Sequence, residues 1–170
     1  PPCKITMIVQ HVQEGNWVFV TAGSTLLKHL FQPGICGINI ETGQSVQPDK
    51  ERPFGNHTVV VDPVRKETYS NEFWSARIDV YDLALRHRRE YVVGKVLRSF
   101  AVDGTRGLGY APDYVDGIFR VFDLKSGEVL GVTFVGRGSR VVSVSPSGRI
   151  FLGNGCGVME IHPEQLVRPA

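Results

Sequence analysis

Short apolar runs rich in Val, Ile, Phe and Tyr recur along the chain, each bounded by Gly, Pro, Asn, Asp or Ser. Examples are Trp17-Val18-Phe19-Val20, Thr58-Val59-Val60-Val61, Arg77-Ile78-Asp79-Val80-Tyr81 and Phe119-Arg120-Val121-Phe122. Period-two or short continuous apolar runs between turn residues are the signature of half-buried and buried strands. Amphipathic helical spacing is scarce: Ser24 to Phe31 reads as one or two turns, and Ala84 to Glu90 as another. The pattern predicts an all-β protein.

The strands repeat as units. Four segments superimpose at their centres: Gly37 to Gly43, Val80 to Ala84, Val121 to Gly127 and Val158 to His162. Their polar column is Asn39, Asp82, Asp123 and Glu160, at steps of 43, 41 and 37 residues. The first three are followed by a further apolar stretch, as in Tyr91-Val92-Val93 and Val129-Leu130-Gly131-Val132. Each is preceded by a strand pair that turns at His11 to Asn16, Asp62-Pro63, Asp103-Gly104 or Ser145 to Gly148. The result is a four-stranded unit A-B-C-D of about 40 residues, present four times with the last cut short; such a unit cannot cover both faces of its own sheet and must stack on a neighbour.

Val144-Ser145-Pro146-Ser147-Gly148-Arg149-Ile150-Phe151-Leu152 resembles the SPDG-plus-strand element of WD-repeat and YVTN-type propellers. Arg120 to Leu130 resembles their strand C, turn and strand D, and Ile38 to Gln44 is also similar to the repeats of quinoproteins. No Gly-His dipeptide opens a blade and no Trp-Asp ends a strand C, so the resemblance is to divergent blades. It implies a β-propeller of four four-stranded antiparallel blades, near residues 1–48, 56–96, 97–135 and 139–170, either a closed small ring or an arc of a larger one. An arc exposes sheet edges that a partner must cover.

Composition adds limits rather than a function. Of 170 residues, 42% are hydrophobic and 21% charged, near globular averages. A formal net charge of +2 is too small to imply nucleic acid or a membrane surface, and no apolar stretch is long enough for a membrane-spanning helix. The 19 Gly and 10 Pro mean many turns. Cys3, Cys36 and Cys156 have no metal-type spacing and read as structural thiols with at most one disulfide, leaning to a reducing, intracellular compartment. The opening Pro1-Pro2-Cys3 reads as a processed or excised piece of a longer chain.

Chemistry-bearing motifs are few. The Asn39/Asp82/Asp123/Glu160 column reads as turn capping rather than as a cation site. His11, His29, His57, His87 and His162 read as solvated loop residues with no paired-ligand spacing, so no metal site, catalytic residue or cofactor is predicted. Gly107-Leu108-Gly109 and Gly153 to Gly157 read as tight B-to-C turns. Arg86, Arg88 and Arg89, in a C-to-D hairpin, form the one dense basic run and are candidates for an anionic partner, with nucleic acid a minor possibility.

The B-to-C loops carry the main expectation. Leu30 and Phe31 in the first unit, Phe73 and Trp74 in the second, and Tyr110 and Tyr114 in the third place large apolar groups where loops are polar. Aromatic clusters on a rigid scaffold have the composition of binding hot spots. The expected function is a non-catalytic scaffold, a complex subunit or oligomer that docks protein partners through these loops. The alternative is a propeller enzyme of quinoprotein, lactonase or hydrolase type with an axial pocket.

Overall fold

The computed structural model describes residues 8–22, 34–49, 56–163 and 166. Every described strand falls in one of four sheets, and within each sheet the strand order follows the chain. The first holds β1 (Ile8–Glu14), β2 (Trp17–Ala22), β3 (Gly34–Asn39) and β4 (Ser45–Val46). The second holds β5 (Asn56–Asp62), β6 (Glu67–Glu72), β7 (Arg77–Asp82) and β8 (His87–Val92). The third holds β9 (Ala101–Asp103), β10 (Leu108–Pro112), β11 (Ile118–Asp123) and β12 (Val129–Phe134). The last has three strands among the described residues: β13 (Val141–Val144), β14 (Ile150–Asn154) and β15 (Gly157–Ile161). These are the blades of a four-bladed β-propeller.

The chain divides into two compact units. One comprises Pro1–Phe73 with Ile78–Glu90, the other Trp74–Arg77 with Tyr91–Ala170. In the first, Phe19 and Ile35 from blade 1 pack with Val59, Val61, Tyr81 and Leu85 from blade 2. In the second, Tyr110, Phe119 and Val121 from blade 3 pack with Val142, Ile150, Leu152 and Ile161 from blade 4. The alternation read from the sequence is the cause: Phe119 and Val121 on β11 are buried, while the intervening Arg120 is half-buried. Outer strands keep one wet face, so β8 alternates half-buried and exposed residues along its length.

After β15 the chain turns, with the Leu166 N–H donating to the Pro163 carbonyl at 2.9 Å, and Leu166 joins the core shared by blades 3 and 4. Leu166 lies against Gly131 on the outer strand of blade 3, where a Cβ would overlap the Leu166 carbonyl.

The polar column caps turns. Asn39 Oδ1 accepts from the Glu41 and Thr42 N–H groups at 3.0 Å each. Asp82 Oδ1 accepts from Ala84 and Arg86 at 2.9 and 3.0 Å, and Asp123 Oδ1 from Lys125 and Ser126 at 2.9 and 2.7 Å. Glu160 departs from the column and forks onto Arg149 instead, at 2.7 and 2.6 Å.

Several local expectations are corrected. Ala84 to Glu90 holds no helical turn: Leu85 sits in the left-handed region at φ 57°, which ends β7 in a tight turn, and β8 begins at His87. Gly107-Leu108-Gly109 is the end of an A-to-B turn and the start of β10, not a B-to-C turn. Gly109 is needed there because it faces Phe122 across the strand pair and a Cβ would overlap that ring. His11, His57 and His87 stand on strands β1, β5 and β8 rather than in loops. Cys36 is buried on β3 and disulfide-bonded, against the structural-thiol expectation, whereas Cys156 is an exposed free thiol. Cys3 and the expected turns at Ser24 to Phe31 lie outside the described residues.

Candidate partner-binding site

The B-to-C turns of blades 2 and 3 are built alike. In each, the fourth turn residue is left-handed, Ala76 at φ 47° and Gly117 at φ 74°, and its carbonyl accepts a hydrogen bond from the segment leaving strand D. The Val93 N–H donates to Ala76 at 3.2 Å, and the Val135 N–H donates to Gly117 at 2.9 Å. The end of each outer strand is thereby fixed beside its own B-to-C turn.

Blade 3 adds a buried carboxylate at this corner. Asp113 is 1% exposed. Its Oδ2 accepts from the Lys95 and Val96 N–H groups at 2.6 and 3.2 Å, and its Oδ1 from Val115 and Asp116 at 2.9 and 3.1 Å. Arg120 stands 3.6 Å from Asp113 and 2.7 Å from Asp116. In the third blade pair the job falls to Asn154, whose Nδ2 donates to the Val135 carbonyl at 2.7 Å while its Oδ1 accepts from Cys156 at 2.8 Å. One polar side chain at the end of strand B thus ties the turn to the connection from the preceding blade.

On this rigid frame sit exposed apolar groups. Trp74 is 70% exposed in the second turn position, and Val115 at the equivalent place in blade 3 is exposed as well. Phe134, 67% exposed at the end of β12, lies over Gly117, and Val92 occupies the matching position on β8. Single exposed apolar residues are ordinary, but a pair repeated at matching positions of successive blades is a patterned surface. In blade 4 the B-to-C turn is shorter, only Gly155 and Cys156 between β14 and β15, and Cys156 is exposed in it.

The residues singled out from the sequence therefore separate. Trp74 is exposed in its turn as expected, and Phe73 is half-buried with its ring 5.4 Å from that of His57. Tyr114 is half-buried, its backbone tied to Val96 and Gly138 at 2.9 Å each. Tyr110 is corrected: it lies on β10 rather than in a loop and is fully buried, stacked on Phe119 at 6.2 Å. Leu30 and Phe31 lie outside the described residues. Val92 and Phe134 were missed; the signal was the alternation of β8 and β12 once the blades are aligned, which puts both on the wet face.

The basic run makes ion pairs within the fold. Arg86 and Arg88 both reach Asp82 at 2.8 Å, and Arg89 makes a bidentate pair with Glu67 at 2.6 and 2.9 Å. Burial pushes Asp82 up, but hydrogen bonds from the Arg86 backbone and guanidinium outweigh it and hold the carboxyl below its ordinary value. Glu67 is likewise pushed up by burial and brought lower on balance by Arg89 and Tyr69. Three guanidiniums face two carboxylates, so one positive charge is left over, and the Arg86 and Arg88 side chains stay exposed.

Among the described residues one group has donors suited to a metal: Asp79 on β7 with His87 and Glu90 on β8, their ligand atoms all within 4.8 Å of one another. No helix of the described chain is long and apolar enough to cross a membrane.

The fold defines the class to which the chain belongs, the four-bladed β-propellers. No protein-family profile matches the chain, and no curated protein matches its sequence. It is similar to the crystal structure of the computationally designed Ika4 protein, with a TM-score of 0.69 at 13% identity, over 92% of this chain and 91% of that one. At that identity the likeness concerns fold alone.

Proposed function

We propose that this chain is a non-catalytic interaction module that docks a protein partner on its B-to-C turn face. The observation that carries the reading is Trp74, 70% exposed on a hydrogen-bonded turn. Tryptophan is enriched among residues that dominate binding energy, and a turn fixed in advance loses little entropy on binding. Val92, Val115 and Phe134 extend the apolar surface on the same kind of corner, and in a propeller the B-to-C turns emerge at a common face. A photo-crosslinking amino acid in place of Val115, which leaves Trp74 intact, is expected to capture a discrete protein species in cells. The same group at Lys125, in the C-to-D turn at the other end of β11, is expected to capture none; identical adducts from both positions would sink the reading.

A second observation supports completion by another chain or segment. Val142, Leu152 and Met159 point toward the core shared with blade 3, whereas the opposite face of blade 4 carries Val141 and Val158, the latter 80% exposed. Light scattering after size exclusion tests this part: an assembly larger than 18.8 kDa is expected, and Val158→Lys is expected to return it toward the monomer. A monomer at all concentrations would remove it.

A further inference from the structure

We propose that Asp79, His87 and Glu90 form a binding site for a divalent transition-metal ion of the zinc class, clamped between β7 and the edge strand β8 of blade 2. His87 Nε2 stands 3.1 Å from Asp79 Oδ1 and 3.7 Å from Glu90 Oε2. With metal–ligand distances of about 2.0–2.2 Å, a tetrahedral ion holds its ligand atoms about 3.4 Å apart. The two observed separations fall on either side of that value, so modest side-chain rotation closes the shell.

The donors are set up by their surroundings. Asp79 is completely buried on a central strand of its sheet, which fixes its carboxylate. The His87 ring meets the edge of Tyr81 at 5.6 Å and 78°, and the His87 backbone N–H donates to Asp49 Oδ1 at 2.8 Å. The ring contact orients the imidazole without occupying Nε2, and the backbone bond anchors the start of β8. Glu90 is 33% exposed and supplies the side from which an ion enters. Three protein ligands leave a fourth position to water or to an incoming group, and the mix of imidazole and carboxylate favours zinc-class ions over magnesium or calcium, which prefer oxygen alone.

The sequence hides this site because its ligands follow no short motif. Asp79 and His87 come together only because β7 and β8 are joined by a tight turn at Leu85, and His87 reads as part of the basic run around it.

Calorimetric titration of metal-free protein with Zn²⁺ is the test, in a Cys156→Ser background so that the exposed thiol takes no part. One ion per chain is expected, with affinity weakened about tenfold or more by His87→Ala and by Glu90→Gln. Because Asp79 is buried and its replacement can unfold the blade, the partly exposed Glu90 carries the decision, with melting curves of metal-free variants confirming the fold. Co²⁺ provides a second readout: a visible band that Glu90→Gln abolishes, without a thiolate charge-transfer band. Absence of saturable Zn²⁺ uptake, or unchanged affinity in both variants, overturns the site. Displacement of Zn²⁺ by millimolar Mg²⁺ or Ca²⁺ overturns its assignment to the zinc class.

Discussion

Three side chains in blade 2 occupy left-handed backbone that blade 3 gives to glycine. Lys66, Ala76 and Leu85 have φ of 54°, 47° and 57°, where the aligned residues Gly107, Gly117 and Gly127 have 73°, 74° and 77°. A non-glycine residue there costs about 1–2 kcal/mol, and glycine returns about 0.5–1 kcal/mol through the freedom of the unfolded chain. Lys66 is exposed, so Lys66→Gly is expected to stabilise by about 0.5–1 kcal/mol in urea unfolding. At Leu85 the opposite effect wins: its side chain is buried in the core of blades 1 and 2, and Leu85→Gly forfeits about 3 kcal/mol of packing, more than the relieved strain. A stabilised Leu85→Gly would show that this core is not packed as described. Asp113 is the sharper dependence. Asp113→Ala orphans the N–H groups of Lys95, Val96, Val115 and Asp116 and is expected to lower stability by about 3 kcal/mol on the same urea curve.

At the scale of strands and turns, carboxylates bind the outer edge of blade 2 to its middle. Glu67 on β6 reaches past β7 to Arg89 on β8, and Asp82 holds the turn between β7 and β8. The folded-state values of Glu67, Asp82 and Asp116 all lie below the ordinary carboxylate range. Groups lowered in this way stabilise the fold above their unfolded values, about 4, and lose that contribution as pH falls through the folded ones. The urea midpoint is therefore expected to stay level from pH 7 to about 5 and to drop below about 4, with a shallower drop in Glu67→Gln. An equal drop in wild type and variant would remove Glu67 from the account.

These elements were the part most open to sequence reading. The A-B-C-D period, the C strands and the capping role of Asn39, Asp82 and Asp123 follow from alternation and turn chemistry, both local. What stayed hidden depends on where a strand lies in its blade. Tyr110 reads as a loop aromatic because Pro112 and Asp113 follow it, yet β10 runs to Pro112 and carries the tyrosine into the core. His87 reads as one charge among arginines until strand pairing brings it to Asp79.

For the molecule as a whole, the surface proposed for docking is separate from what holds the fold. Trp74 and Phe134 are exposed, so Trp74→Ser combined with Phe134→Ser is expected to leave the thermal midpoint nearly unchanged, within about 0.5 kcal/mol per site. The same double variant is expected to lose the species captured through the B-to-C turn face, probed by crosslinking from Val115. Retained capture at unchanged stability would move the interface elsewhere.

Cys156 gives that surface a practical property. Its exposed free thiol stands in the B-to-C turn of blade 4, while Cys36 is sequestered in a disulfide. An exposed thiol is accessible to soft electrophiles such as maleimides. An environment-sensitive maleimide dye attached there would sit on the face proposed for docking as a built-in optical reporter, expected to brighten if a partner excludes water from the turn.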